Sequence, residues 1–341
     1  MNTYFRVARI FSVSELPWPA SWLLSRLEQT NRMPSSISNS KARLHAGATT
    51  RSICLLLIGV ALMGAMAEGL ARFALGRMSR MEHRIDQEYR GSLTIPARTT
   101  SGQPTRVLLG NSILLKGVDF ASFRSMMSSK YDVYRLVIEQ TEYLDLYYIL
   151  RTLFRRGSRP HDVVLCLGVG HLVGDNMRGQ FTARYQDATD LADLARREHL
   201  DATTTTNYFF AHWSGWFGTR TEIRKWLLAR VMPDVGGLTT VLGFRPAPAL
   251  SESEVRLKSE ARLRELKTLC DEYGARLTIV IPPTLSKEDH AEVVSALGRE
   301  LGIRVLIPVK AGTMEKSLFR DGFHLNSSGA EVFTAKLASV L

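Results

Sequence analysis

Two short segments of this 341-residue chain hold side chains that could do chemistry together. Gly110-Asn111-Ser112 ends a short apolar run that begins at Arg106. A serine on a tight strand-to-helix turn exposes its hydroxyl, and a helix N-terminus favours negative charge developing nearby. The same placement suits a plain helix cap. Asp321-Gly322-Phe323-His324 precedes the last helix-forming segment. An Asp three residues ahead of a His can fix the imidazole tautomer, orient the ring as a general base and stabilise the imidazolium. A solvated loop with a capping Asp gives the same residues. The order along the chain links the two segments. A serine after the first strand of a parallel sheet and an Asp–His pair before its last helix belong to the same sheet edge, where such folds bind ligands.

The elements that must position them are legible as apolar patterns. Strands are predicted over 106–110, 133–138, 161–168, 277–282 and 304–307, each nearly continuous in Val, Leu and Ile. Helices are predicted over 145–156, 253–273, 291–301 and 328–341. The first turns Leu146, Ile149, Leu150 and Leu153 inward; the second turns Val255, Leu263, Leu266 and Leu269 inward and ends at Gly274. Strands alternating with helices, with each strand nearly all apolar, give an α/β fold with a parallel sheet covered on both faces.

These segments together resemble the SGNH (GDSL-type) hydrolase superfamily over about 106–341. Gly110-Asn111-Ser112 is similar to the family's first block, usually Gly-Asp-Ser. Asp321-Gly-Phe-His324-Leu-Asn-Ser-Ser-Gly329, with Phe333 beyond it, is similar to its last block, and Ile281-Pro282-Pro283 resembles members with this ending. The resemblance implies a flavodoxin-like three-layer sandwich, with Ser112 as nucleophile, His324 as general base and Asp321 as its orienting acid. Three places depart from the pattern. Asn111 replaces an Asp. Ile138-Glu139-Gln140-Thr141 lacks the glycine of the second block. Gly168-Val169-Gly170-His171 has Gly170 where the third block has its oxyanion Asn. The Ser112 N–H is then left with an unassigned second donor among Asn111, Gly168, Gly170 and His171, and His171 reads equally as an ordinary loop histidine. Loss of one such donor costs ~10²–10³ in turnover. Members with an N-terminal anchor and a DxxHLN ending resemble a group that handles acyl groups on exported polysaccharides.

An anchor is itself legible. Residues 52–67 carry no charge, and the apolar character runs on to Leu75 past Glu68 and Arg72. A span over 52–75 is long enough to cross a bilayer if those two charges lie at its interface. A cleaved signal is the other reading, with Ala65-Met66-Ala67 as a cleavage site and Met33 as the true start. Basic residues lie on both sides, so charge does not orient the span; an outward-facing body is inferred from the expected function. Residues 1–51 form a basic tail, and 76–104 a juxtamembrane segment and linker rich in Gly, Pro, Ser and Thr from residue 90. The domain spans 105–341, with an insertion at about 175–252.

That insertion holds three of the five tryptophans, Trp213, Trp216 and Trp226, followed or interleaved by Arg220, Arg224, Lys225 and Arg230. It reads as a helical subdomain with its own small core, as a lid that stacks on sugar rings, or as a surface resting on a membrane. Of the net charge of +11, +5 lies in residues 1–51, and no nucleic-acid module accompanies the excess, so no nucleic acid is expected. Three cysteines exclude a disulfide-built scaffold. Cys54, Cys166 and Cys270 all read as buried, and a Cys166–Cys270 bridge is an alternative to free thiols. No metal-ligand spacing or phosphate loop is present, so no metal and no cofactor is expected.

Three functions follow as expectations. The first is a membrane-anchored serine esterase or O-acyltransferase, acting on acyl (acetyl) groups of extracytoplasmic carbohydrate at the cytoplasmic membrane. The second is a non-catalytic binding or assembly component of an envelope polysaccharide machine on the same scaffold. The third is a lipase-like ester hydrolase.

Overall fold

The computed structural model describes residues 40–78, 80–231, 250–286, 289–321 and 323–341. The chain runs α1 (Ser40–Met78), α2 (Arg80–Ser92), β1 (Thr105–Gly110), α3 (Ser112–Gly117), α4 (Phe120–Met127), β2 (Asp132–Val137), α5 (Tyr143–Arg155), β3 (Asp162–Cys166) and α6 (Val169–Val173). A 3₁₀ turn at Thr182–Tyr185 leads to α7 (Ala188–Arg197), α8 (Ala202–Trp213) and α9 (Gly215–Val231). Then come α10 (Glu252–Glu272), β4 (Arg276–Val280), α11 (Ala291–Leu301), β5 (Arg304–Leu306), a 3₁₀ turn at Lys316–Leu318 and α12 (Ser327–Val340).

The sheet has the order β2-β1-β3-β4-β5, and every pairing is parallel. Side chains alternate between two cores. Val107, Leu109, Leu136, Val163, Leu165 and Ile279 face α5, α10 and α11, whereas Leu108, Val133, Val137, Val164, Cys166 and Val280 face α3, α4 and α12. This is the expected three-layer α/β architecture, and it explains why the strands read as unbroken apolar runs: both faces are buried.

Two compact units are distinguished, 1–63 and 64–341. Of the first, only the early part of α1 is described. The α1 helix contains Thr50–Ala71, 22 residues of mean hydropathy 2.2 and the one stretch among the described residues long and apolar enough to cross a membrane. At 1.5 Å per residue it measures ~33 Å, against ~30 Å of bilayer hydrocarbon. Cys54 lies exposed on it, unlike the buried site its apolar neighbours suggest. Cys166 and Cys270 are buried free thiols rather than a bridge, and burial pushes each up to about 12.

The segment expected as a linker is structured over much of its length. Ile85, Tyr89 and Ile95 are buried in the main core. Strand β2 is an edge strand, and α2 covers its open side: Glu88 accepts from the Val137 N–H at 2.9 Å, and Arg84 donates to the Val137 carbonyl at 2.9 Å. Arg84 and Glu88 therefore pair the backbone at the end of the edge strand. The insertion also differs from expectation. Its buried Phe181, Tyr185, Leu191, Leu194 and Tyr208 join the main core rather than a separate one. Residues 232–249 of it lie outside the described residues.

Asp145, in the first turn of α5, ties the start of the insertion to the sheet. It accepts from the Thr182 hydroxyl at 2.6 Å and the Arg178 N–H at 2.9 Å. Burial pushes its carboxyl up to about 6, although hydrogen bonds from Thr182 and the Arg178 backbone pull the other way. The folded chain therefore holds this proton more tightly than the unfolded chain, and stability from this group falls as pH rises from the ordinary carboxylate range towards 6. Asp145→Ala should lower stability by about 2 kcal/mol through stranded donors. The loss measured by urea unfolding should be larger near pH 4 than at neutral pH.

Candidate functional site

Strand β1 delivers the serine. It ends at Gly110, where a Cβ would lie 2.7 Å from the Cys166 carbonyl oxygen and 2.9 Å from a Leu114 methyl. Only glycine lets α3 start this close to β3. The next residue, Asn111, is buried and caps α3. Its Oδ1 accepts from the Ile113 N–H at 3.0 Å, and its Nδ2 donates to the Thr141 carbonyl at 3.0 Å. The carboxamide is thus engaged through both its oxygen and its nitrogen. This gives a reason for Asn over Asp: a carboxylate can accept from Ile113 but cannot donate to Thr141.

The loop before α12 delivers the other two groups. Asn326 caps α12, with Oδ1 accepting from the Gly329 N–H at 3.0 Å, and its Nδ2 donates to the Ser317 carbonyl at 2.6 Å. The Asn326 N–H reaches the Leu318 carbonyl at 2.9 Å. Gly329 packs on that carbonyl so closely that a Cβ would lie 2.3 Å from its oxygen. Phe333 anchors the helix in the second core. Between these fixed ends, Asp321 Oδ1 accepts from the His324 N–H at 2.9 Å, and the Arg320 N–H donates to the His324 carbonyl at 2.8 Å.

The two loops meet. Ser112 Oγ lies 2.9 Å from His324 Nε2, and His324 Nδ1 lies 2.8 Å from Asp321 Oδ2. Burial alone would raise the Asp321 pKa, but hydrogen bonds from His324 and its charge outweigh it and hold the carboxyl below its usual range. An ionised carboxylate only accepts, so Nδ1 carries the proton and the Nε2 lone pair faces the serine hydroxyl. Phe323 lies beside the imidazole, with ring centroids 4.3 Å apart.

Of the remaining candidates, Gly168 caps α6 and borders both Ile113 and the His171 ring. Gly170 is exposed, with nothing within 4 Å of where a Cβ would stand. His171 lies on α6, and burial, then the charge of His324, hold its pKa below the ordinary histidine value. Trp213 and Trp216 are placed elsewhere, on either side of the Ser214–Gly215 corner held by Glu68. Trp226 lies on α9, and its side chain is outside the described residues. Sequence reasoning missed Thr141, whose backbone carbonyl carries no signal in the residue type, and the partner of Glu68, 146 residues away. No group of His, Cys, Asp or Glu among the described residues could hold a metal ion.

No protein-family model and no curated protein matches the chain. Among solved structures, the chain is similar to an α/β hydrolase enzyme from the metagenome of Lake Arreo, Spain, at 9% identity and a TM-score of 0.37, over 69% of this chain and 93% of that one. It is also similar to a catalytic mutant of an acetylxylan esterase from Geobacillus stearothermophilus, at 10% identity and a TM-score of 0.37, over 69% and 92% of the two chains.

Two outcomes check this geometry. Asn111→Asp should cost about 2 kcal/mol in thermal or urea unfolding, because the Thr141 carbonyl loses its donor and faces a carboxylate. In ring NMR titrations, His171 should titrate below the ordinary histidine value, and His324→Ala should move that midpoint upward. An unmoved midpoint would mean that the two rings are not neighbours.

Proposed function

We propose that this chain is a membrane-anchored serine ester hydrolase or O-acyltransferase of the SGNH type, acting on acyl groups of carbohydrate outside the cytoplasmic membrane. The hydrogen-bonded series Ser112 Oγ, His324 Nε2, His324 Nδ1 and Asp321 Oδ2 is the observation that carries this reading. Chance does not favour bringing a hydroxyl, an imidazole and a carboxylate into this order from loops 212 residues apart. The reaction runs in two halves. Ser112 attacks the acyl carbonyl while its proton passes to His324, and Asp321 stabilises the imidazolium. The tetrahedral intermediate expels the sugar oxygen, which takes the proton back from His324. Water or a second sugar hydroxyl then attacks the acyl-serine by the same route. The Ser112 N–H, at the first turn of α3, is the first oxyanion donor, and the His171 ring, which borders Gly168, is a side-chain candidate for the second. The helix holding Thr50–Ala71 supports the anchor, and the ending Asp321-Gly-Phe-His324-Leu-Asn326 supports the carbohydrate substrate through its family resemblance.

One observation favours a second reading, a non-catalytic binding component. Gly170 offers no side chain where the family carries a carboxamide, and Asn111 is engaged on both sides. Fluorophosphonate labelling of the detergent-solubilised full chain separates the two. The first reading expects labelling that disappears in Ser112→Ala and falls by about 10³-fold or more in His324→Ala. A folded chain that does not label would sink the enzyme reading and leave the binding component.

A further inference from the structure

The corner between α8 and α9 is held by a residue of the apolar helix. Glu68 accepts from the Ser214 hydroxyl at 2.8 Å, from the Gly215 N–H at 2.8 Å and from the Trp216 N–H at 3.2 Å. It lies three residues before Ala71, the end of the apolar stretch Thr50–Ala71. A carboxylate at that depth is costly unless it is paired, and here the N-terminus of α9 pairs it. The contact brings the start of α9 to the level where hydrocarbon gives way to headgroups.

Exposed side chains at that corner and along α9 suit this level. Phe210, Trp213, Trp216, Leu227, Leu228 and Val231 are all exposed, with Trp213 65% and Val231 70% accessible. Outside α1, exposed large hydrophobic side chains among the described residues gather on these two helices, against four scattered elsewhere at Met126, Leu257, Phe323 and Val332. Tryptophan prefers the membrane–water interface because its ring is apolar and its N–H needs a polar partner. The α9 segment carries Arg220, Arg224, Lys225 and Arg230 against Glu222 alone. Exposed aromatic and aliphatic bulk, with an excess of cations along α9, suits contact with an anionic bilayer surface.

We propose that α8 and α9 form an interfacial platform, in which Trp213, Trp216 and the apolar residues beside them enter the surface of the bilayer that holds α1. The proposal rests on the anchored reading above. It gives the domain a second foothold, so that the domain does not pivot freely about one helix, and it assigns Trp213 and Trp216 to lipid rather than to sugar.

The test uses the full chain in nanodiscs of phosphatidylcholine and phosphatidylglycerol, with plain or brominated acyl chains. Bromine quenches only tryptophans that reach the lipid. Trp18, Trp22 and Trp226 are common to the wild-type chain and the Trp213→Phe/Trp216→Phe double variant, so the difference between the two isolates Trp213 and Trp216. The platform expects the bromolipid-quenchable emission to fall in the double variant. It also expects Glu68→Ala, which leaves every tryptophan in place, to reduce the quenching. Equal quenching in the wild-type chain and the double variant overturns the platform alone, provided alkaline carbonate leaves the chain in the membrane. Release by carbonate overturns the anchor and the platform together. Emission unaffected by bromolipid but changed by a soluble acetylated oligosaccharide, and only when both tryptophans are present, overturns the platform in favour of a glycan-stacking face.

Discussion

The hydrogen bond from Asn111 Nδ2 to the Thr141 carbonyl is the constraint on which the serine edge depends. The chain leaves β1 through one glycine and must turn at once into α3. Nothing in a strand-to-helix turn fixes its angle unless a side chain ties it to a neighbour. Asn111 ties it to the loop after β2, the strand beside β1 in the sheet. The same residue caps α3, so one carboxamide sets both the direction of the helix and its distance from the sheet. The position of the Ser112 hydroxyl follows from these two bonds.

The imidazole side is built differently. Here the geometry comes from the two ends of a loop rather than from one amide. Asn326 and Gly329 seat α12 on the backbone of Leu318, and Phe333 holds that helix in the core below. The loop between them is short, and Asp321 folds it by accepting the His324 N–H before it accepts the ring. The carboxylate therefore has a structural bond and an electrostatic one in the same three residues. Its lowered pKa reflects both, set against the burial that opposes them.

Most of the sheet was legible because a strand buried on both faces leaves little choice of residue. Strand β1 extends one residue beyond its expected start, and α11 spans 291–301 as its pattern predicts. The Ser112, Asp321 and His324 positions were legible because their types are rare together at those places in such a fold. What was not legible shares a cause. Helix α2 has buried residues at only a few positions, so its pattern carries little apolar signal. Arg84 and Glu88 on it pair with the backbone of Val137, on an edge strand, and a backbone group leaves no mark in the sequence. The role of Asn111 was hidden for the same reason. Glu68 read as a charge at the end of a span because its partner, the start of α9, lies far along the chain.

These cases point to one device. A parallel sheet joined by long crossovers leaves many loop and helix-end groups without partners. Buried backbone groups need partners, so side chains must supply them. Asn111 serves Thr141, Glu88 serves Val137, Glu68 serves Gly215 and Trp216, and Arg262 donates to the Leu172 and Gly174 carbonyls at the C-terminal end of α6. Each bond joins segments at least 30 residues apart. The fold class follows from the apolar pattern, but the placement of the loops these side chains bond follows from a few polar groups. A substitution among them would leave the sheet intact and still move the groups that must meet.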